Sequence, residues 1–165
     1  GFVANINTVQ TVTTPTLTRP DANGANCEIW GQVYSATGAT GTTWTVSYTN
    51  QDGTAGRSAT YVSGTSGLNT VGQAWNFALA AGDTGVRAIA SVTLTASTGT
   101  AGNFGLMIMR KIATIGVGQL YKTETIDALN GALREVNNDA YIVPILACSS
   151  TTSGEWRGDI TFGTE

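Results

Sequence analysis

The chain has 165 residues, the size of one domain with a substantial core. Apolar residues make up 41%, which sets it apart from disordered chains, while charged residues are only 12%, about half the usual share. The net charge is −3, only Arg110 and Lys111 are adjacent basic residues, and histidine is absent. That argues against a basic nucleic-acid-binding surface and against histidine-based catalysis or zinc binding. With so few charges, the surface must be covered by Thr, Ser, Asn, Gly and Ala. Subunits packed in an assembly have such surfaces, and secreted β-proteins share the bias. No stretch approaches the ~20 apolar residues of a membrane helix, so no membrane partner is expected. The start, Gly1-Phe-Val-Ala, has no signal-peptide pattern and no initiator Met, so a processed chain or the ordered part of a longer protein is expected.

Residues 1–26 are rich in Thr and Asn, with Pro15 and Pro20. Thr and Val favour extended backbone and Pro15 removes a ladder donor, so an extended N-terminal arm ending in an edge strand is expected. The competing reading is a loosely ordered tail. Asp21-Ala-Asn-Gly-Ala-Asn26 is a turn cluster. From Cys27 to Tyr34 the residues alternate, with Cys27, Ile29, Gly31 and Val33 on one face and Glu28, Trp30, Gln32 and Tyr34 on the other. After a loop at 35–42, Thr43–Thr49 sets Trp44, Val46 and Tyr48 against Thr43, Thr45, Ser47 and Thr49. This clean split predicts an antiparallel sheet with one exposed face. Asn50-Gln-Asp-Gly53 is a tight-turn signal, and Arg57–Val62 completes a hairpin.

A second small-residue loop spans 63–72, and a strand over 74–80 places Trp75, Phe77 and Leu79 together. Residues 85–112 read as the core hairpin. In its first half Val86, Ala88, Ala90, Val92 and Leu94 face away from Arg87, Ile89, Ser91, Thr93 and Thr95. Its second half, Phe104–Met109, is almost continuously apolar. The one convincing helix lies near 124–136, capped by Thr123 or Thr125, with Ile126, Leu129, Leu133 and Val136 as its apolar stripe. An apolar strand at 139–148 is interrupted by Pro144, and a last strand is expected at 157–162. The sum is an all-β chain with one short helix: an antiparallel β-sandwich or jelly roll over 27–165, preceded by the arm.

The chain shows no catalytic motif. No phosphate loop occurs, and Asp52 and Asp83 lie in turns that explain them without catalysis. Two distant cysteines, Cys27 and Cys148, favour buried small hydrophobes over a disulfide, in keeping with a reducing compartment. No cofactor or metal is expected. Trp44 and Trp75 share faces with core residues, so burial is expected for both. Trp30 shares its face with Glu28, Gln32 and Tyr34. The candidate interface residues are therefore Trp30, Tyr34 and Trp156. Arg57, Arg87 and Arg110 are expected to pair with carboxylates in neighbouring turns.

The runs Tyr48-Thr-Asn-Gln-Asp-Gly-Thr-Ala-Gly-Arg57, Leu79-Ala-Ala-Gly-Asp-Thr-Gly-Val-Arg87, Ser91-Val-Thr-Leu94, Ala101-Gly-Asn-Phe-Gly105 and Asn137-Asn-Asp-Ala-Tyr-Ile142 resemble small structural proteins of tailed bacteriophages. The resemblance spans roughly residues 43–148 and rests on turns and strands. It implies a non-enzymatic β-sandwich of the virion, assembled in the host cytoplasm. The implied role is a capsid decoration or cement subunit, a homo-oligomer of trimeric type bound across major capsid proteins. The arm and the loops at 35–42 and 63–73 are then the contact elements. The alternative is a carbohydrate- or receptor-binding module of a phage fibre or tail.

Overall fold

The computed structural model describes residues 1–14, 17, 23–64, 70–99, 102–115, 136 and 141–145. Eight strands form: β1 (Phe2–Val3), β2 (Gln10–Thr11), β3 (Cys27–Ser35), β4 (Thr43–Asn50), β5 (Arg57–Val62), β6 (Ala74–Asn76), β7 (Val86–Leu94) and β8 (Asn103–Arg110). They make two antiparallel four-stranded sheets, ordered β1-β8-β3-β6 and β2-β7-β4-β5. β1 pairs with β8, β2 with β7, β3 with β6 and β4 with β5. The pairings nest, as when one long antiparallel hairpin is rolled up and its halves folded face to face. That is the jelly-roll topology.

Alternation along β3 and β4 builds the core. Cys27, Ile29 and Val33 from one sheet meet Trp44, Val46 and Tyr48 from the other, all buried. Trp44 is the centre of an aromatic cluster, edge-on to Phe104 at 4.7 Å and to Trp75 at 5.4 Å. Phe77 and Tyr61 extend the cluster from the far side of Trp75. Burial of Trp44 and Trp75 thus follows the sequence expectation.

The expected hairpin over 85–112 does not form. β7 and β8 lie in different sheets. Each half has strand character, but the partner of β8 is β3, an interaction that local sequence does not encode. The faces of β7 also differ from simple alternation. Ser47 and Tyr48 pair with Ser91 and Ile89, skipping Ala90; Thr49 and Asn50 pair with Ala88 and Val86, skipping Arg87. These irregularities reset the phase twice, so Ile89 joins Val86, Val92 and Leu94 inside while Ala90 faces out.

The strand expected over 74–80 is shorter and changes sheets. Residues 74–76 pair with β3, while Ala78 bridges Thr60 of β5. One side of the sandwich is thereby closed by a single strand segment. On the other side, β1 and β2 add to one sheet each, so part of the stretch expected to be an arm pairs within its own domain. The Gln10 side chain links the two by accepting from Val3 N–H at 2.9 Å and donating to Val3 C=O at 2.8 Å.

Of the apolar run 139–148, residues 141–145 are described and carry no strand. Pro144 breaks the donor series there, and Tyr141 is 92% exposed. The helix expected at 124–136, apart from Val136, and the strand at 157–162 lie outside the described residues, as do Cys148 and Trp156. Among the described residues, no helix is long and apolar enough to cross a membrane.

Candidate interaction surface

The two outer faces of the sandwich differ in chemistry. On the β2-β7-β4-β5 sheet, hydroxyls run across the strands in rows. Ser47 pairs with Ser58 on one side and Ser91 on the other, and Thr11 of β2 continues that row from Ser91. Thr45 likewise stands between Thr60 and Thr93. Each central residue is the outward member of the alternation read in the sequence over 43–49.

The outer face of the other sheet is amphipathic. β3 presents Glu28, Trp30, Gln32 and Tyr34, opposite Met109, Met107 and Gly105 of β8 and Asn76 and Ala74 of β6. Trp30 is partly buried, and its indole N–H donates to Glu28 Oε2 at 2.9 Å. The same oxygen accepts from Asn76 Nδ2 at 2.6 Å. The carboxylate thus fixes an aromatic ring and an amide at one place on a rigid sheet. Tyr34 is 52% exposed and its phenol lies across Gly105, where a β-carbon would fall within 2.1 Å of the hydroxyl. Two pleats along the strand separate Trp30 from Tyr34, about 13 Å, so they share a face without touching. Beside them, Gln32 and Met107 line a groove of about 320 Å³ together with Val143, Pro144 and Ile145.

Sequence reading placed Trp30 and Tyr34 on one face, and the structure keeps them there. It did not identify Asn76, Met107 or Met109 as their neighbours. Those residues reach this face through the β3·β6 and β3·β8 registers, and no local motif signals such pairings.

Asp83 organises a separate polar cluster at one end of the sandwich. Its carboxylate accepts from Arg57 Nε at 2.8 Å, from Asn50 Nδ2 at 2.9 Å and from the Tyr48 hydroxyl. Arg57 also reaches Ala81 C=O, and Ala80 N–H donates to the Tyr48 oxygen. The expected pairing of Arg57 with a turn carboxylate is therefore present. The Arg57, Tyr48 and Asn50 hydrogen bonds together lower the Asp83 pKa to about 2. Burial and the Asp83 hydrogen bond push Tyr48 up. Asp83 borders a cleft of about 610 Å³ that Glu28 and Lys111 also line. Near neutral pH Asp83 has no proton to give and its oxygens are engaged, so its evident task is to tie β4, β5 and the turn before β7 together.

The loops at the opposite end are held by hydroxyls. Ser63 Oγ accepts from Thr42 N–H and from the Trp44 indole, and Thr98 receives Gly38 N–H while donating to Ala4 C=O. Among the described residues no group of His, Cys, Asp and Glu is placed to hold a metal ion. No family model, curated protein or solved structure matches the chain.

Proposed function

We propose that the chain is a non-enzymatic structural protein of a phage virion, a decoration or cement subunit that binds across major capsid proteins and stabilises the head. The observation that carries this reading is the outer face of the β1-β8-β3-β6 sheet. Trp30, Tyr34, Met107 and Met109 stand together on rigid strands of a domain with few charges. Aromatic and Met side chains with little charge suit the core of a protein contact. The jelly-roll topology supports the reading by analogy of fold. The mechanism is mechanical: several weak contacts, multiplied by a symmetric oligomer, add buried surface that opposes internal pressure. The test is to locate the subunit in a reconstructed particle. Density on the capsid exterior with this face against the shell is the expected result; absence from purified particles would overturn it.

One observation favours a second reading, carbohydrate or receptor binding. A tryptophan ring braced by a carboxylate, with an exposed amide beside it, has the parts of a sugar-stacking site. Glycan-array binding abolished by Trp30→Ala would establish that reading in place of the first.

A further inference from the structure

The free edge of β2 has the chemistry of a strand waiting for another strand. Val12 N–H donates to Ala90 C=O at 2.8 Å, and Gln10 pairs with Val92. In an antiparallel ladder the residues between these, Val9, Thr11 and Thr13, direct their own N–H and C=O groups away from β7. Their side chains are exposed, Val9 at 63%. Natural edges are usually blunted by Lys, Pro, or a covering segment. Among the described residues nothing covers this one, no charged residue occurs before Arg19, and no proline before Pro15. Two of the other three edges are less open. β5 is capped by the Ala78 bridge, and in β1 the Val3 N–H and C=O are taken up by the Gln10 side chain.

We infer that β2 is a self-association edge and that its occupant is β2 of a second copy, antiparallel about a two-fold axis through Thr11. The inference stands independently of the virion reading. The register is self-complementary: Thr11 meets Thr11, and Val9 meets Thr13 in both directions. Such a pairing makes about six main-chain hydrogen bonds. It brings only neutral side chains together, so no like charges oppose it. It also joins the Ser58–Ser47–Ser91–Thr11 row of one copy to that of the other, making one continuous eight-stranded sheet. The two-fold replaces the three-fold suggested by family resemblance with an isologous contact.

Light scattering on the full chain over a concentration series tests this. The expected result is a dimer that Thr11→Pro converts to monomer with unchanged circular dichroism. Position 11 makes no main-chain bond to β7, so proline removes only the outward donor. Should Thr11→Pro unfold the chain, Thr11→Lys decides. It should weaken the dimer about fivefold or more, with recovery at high salt, because two like charges then face each other at the axis. Thr45→Lys, on the same face of a central strand, should leave the dimer intact. A wild-type monomer at high concentration, or an oligomer indifferent to both position-11 variants, would overturn the inference.

Discussion

The indole of Trp75 lies against Gly31, its cross-strand partner, so closely that a β-carbon at residue 31 would sit 2.3 Å from the ring. Glycine is required here by contact with the ring. Gly31→Ala is expected to displace Trp75 from the aromatic cluster and cost about 1–3 kcal/mol. Denaturant unfolding of Gly31→Ala, of Trp75→Leu and of the double variant checks this. The double variant should be more stable than the sum of the singles predicts, because the smaller side chain relieves the clash.

The Asp83 cluster predicts an acid limb in stability. The folded pKa, about 2, lies below the ordinary carboxylate value of 3.8. A depressed folded pKa gives stability that is fully present above the unfolded value and lost as pH falls through the folded one. Melting temperature should therefore fall between about pH 4 and pH 2. Asp83→Asn should melt lower than the wild type at pH 7, and the difference should shrink toward pH 2. An equal difference at both pH values would show that the carboxylate's charge is not what holds the three donors.

Ser63 is 5% exposed and its one hydroxyl serves three groups, accepting from Thr42 N–H and Trp44 Nε1 and donating to Thr42 C=O. Ser63→Ala leaves buried donors unmet and should cost about 1–3 kcal/mol. Ser63→Thr, which keeps the hydroxyl, should recover part of the loss. Equilibrium unfolding measures both.

Two tryptophans one sheet apart should separate stability from binding. Trp44 is fully buried at the centre of the core, and Trp44→Ala is expected to cost about 3–5 kcal/mol. Trp30 lies on the outer face, and Trp30→Ala should cost well under half as much while reducing capsid attachment in a sedimentation assay. Loss of attachment only in proportion to lost folding would remove Trp30 from the contact surface.

Much of the sandwich was legible because β3, β4 and β5 obey the two-residue period and are joined by strong signals. Asn50-Gln-Asp-Gly53 is one: Gly53 has φ of 85°, and the Asn50 side chain accepts from Asp52 and Thr54. β7 was misread because skipped residues at Arg87 and Ala90 carry no composition signal; they depend on the register with β4. The β7–β8 relation failed for a similar reason. A loop of small residues can close a hairpin or cross between sheets, and the choice rests with partners far away in sequence. Trp30 and Tyr34 could be placed on one face from alternation alone. The Glu28–Asn76 contact that braces Trp30 needed the β6 register, which the three-residue strand Ala74–Asn76 does not reveal.

The nested pairing also sets an order of assembly. β4 and β5 close the shortest chain segment, β3 and β6 enclose it, and β2·β7 and β1·β8 enclose that. Because the entropic cost of closure grows with the length enclosed, the roll should wind from its middle outward, with the N-terminal strands docking last. Substitutions in the Asn50–Gly53 turn should then slow folding, while those in β1 should mainly speed unfolding. A late intermediate would expose the β7 and β8 edges at once. Two chains meeting at that stage can exchange N-terminal strands, so the slowest part of folding is also the moment at which this protein is most open to its own copies.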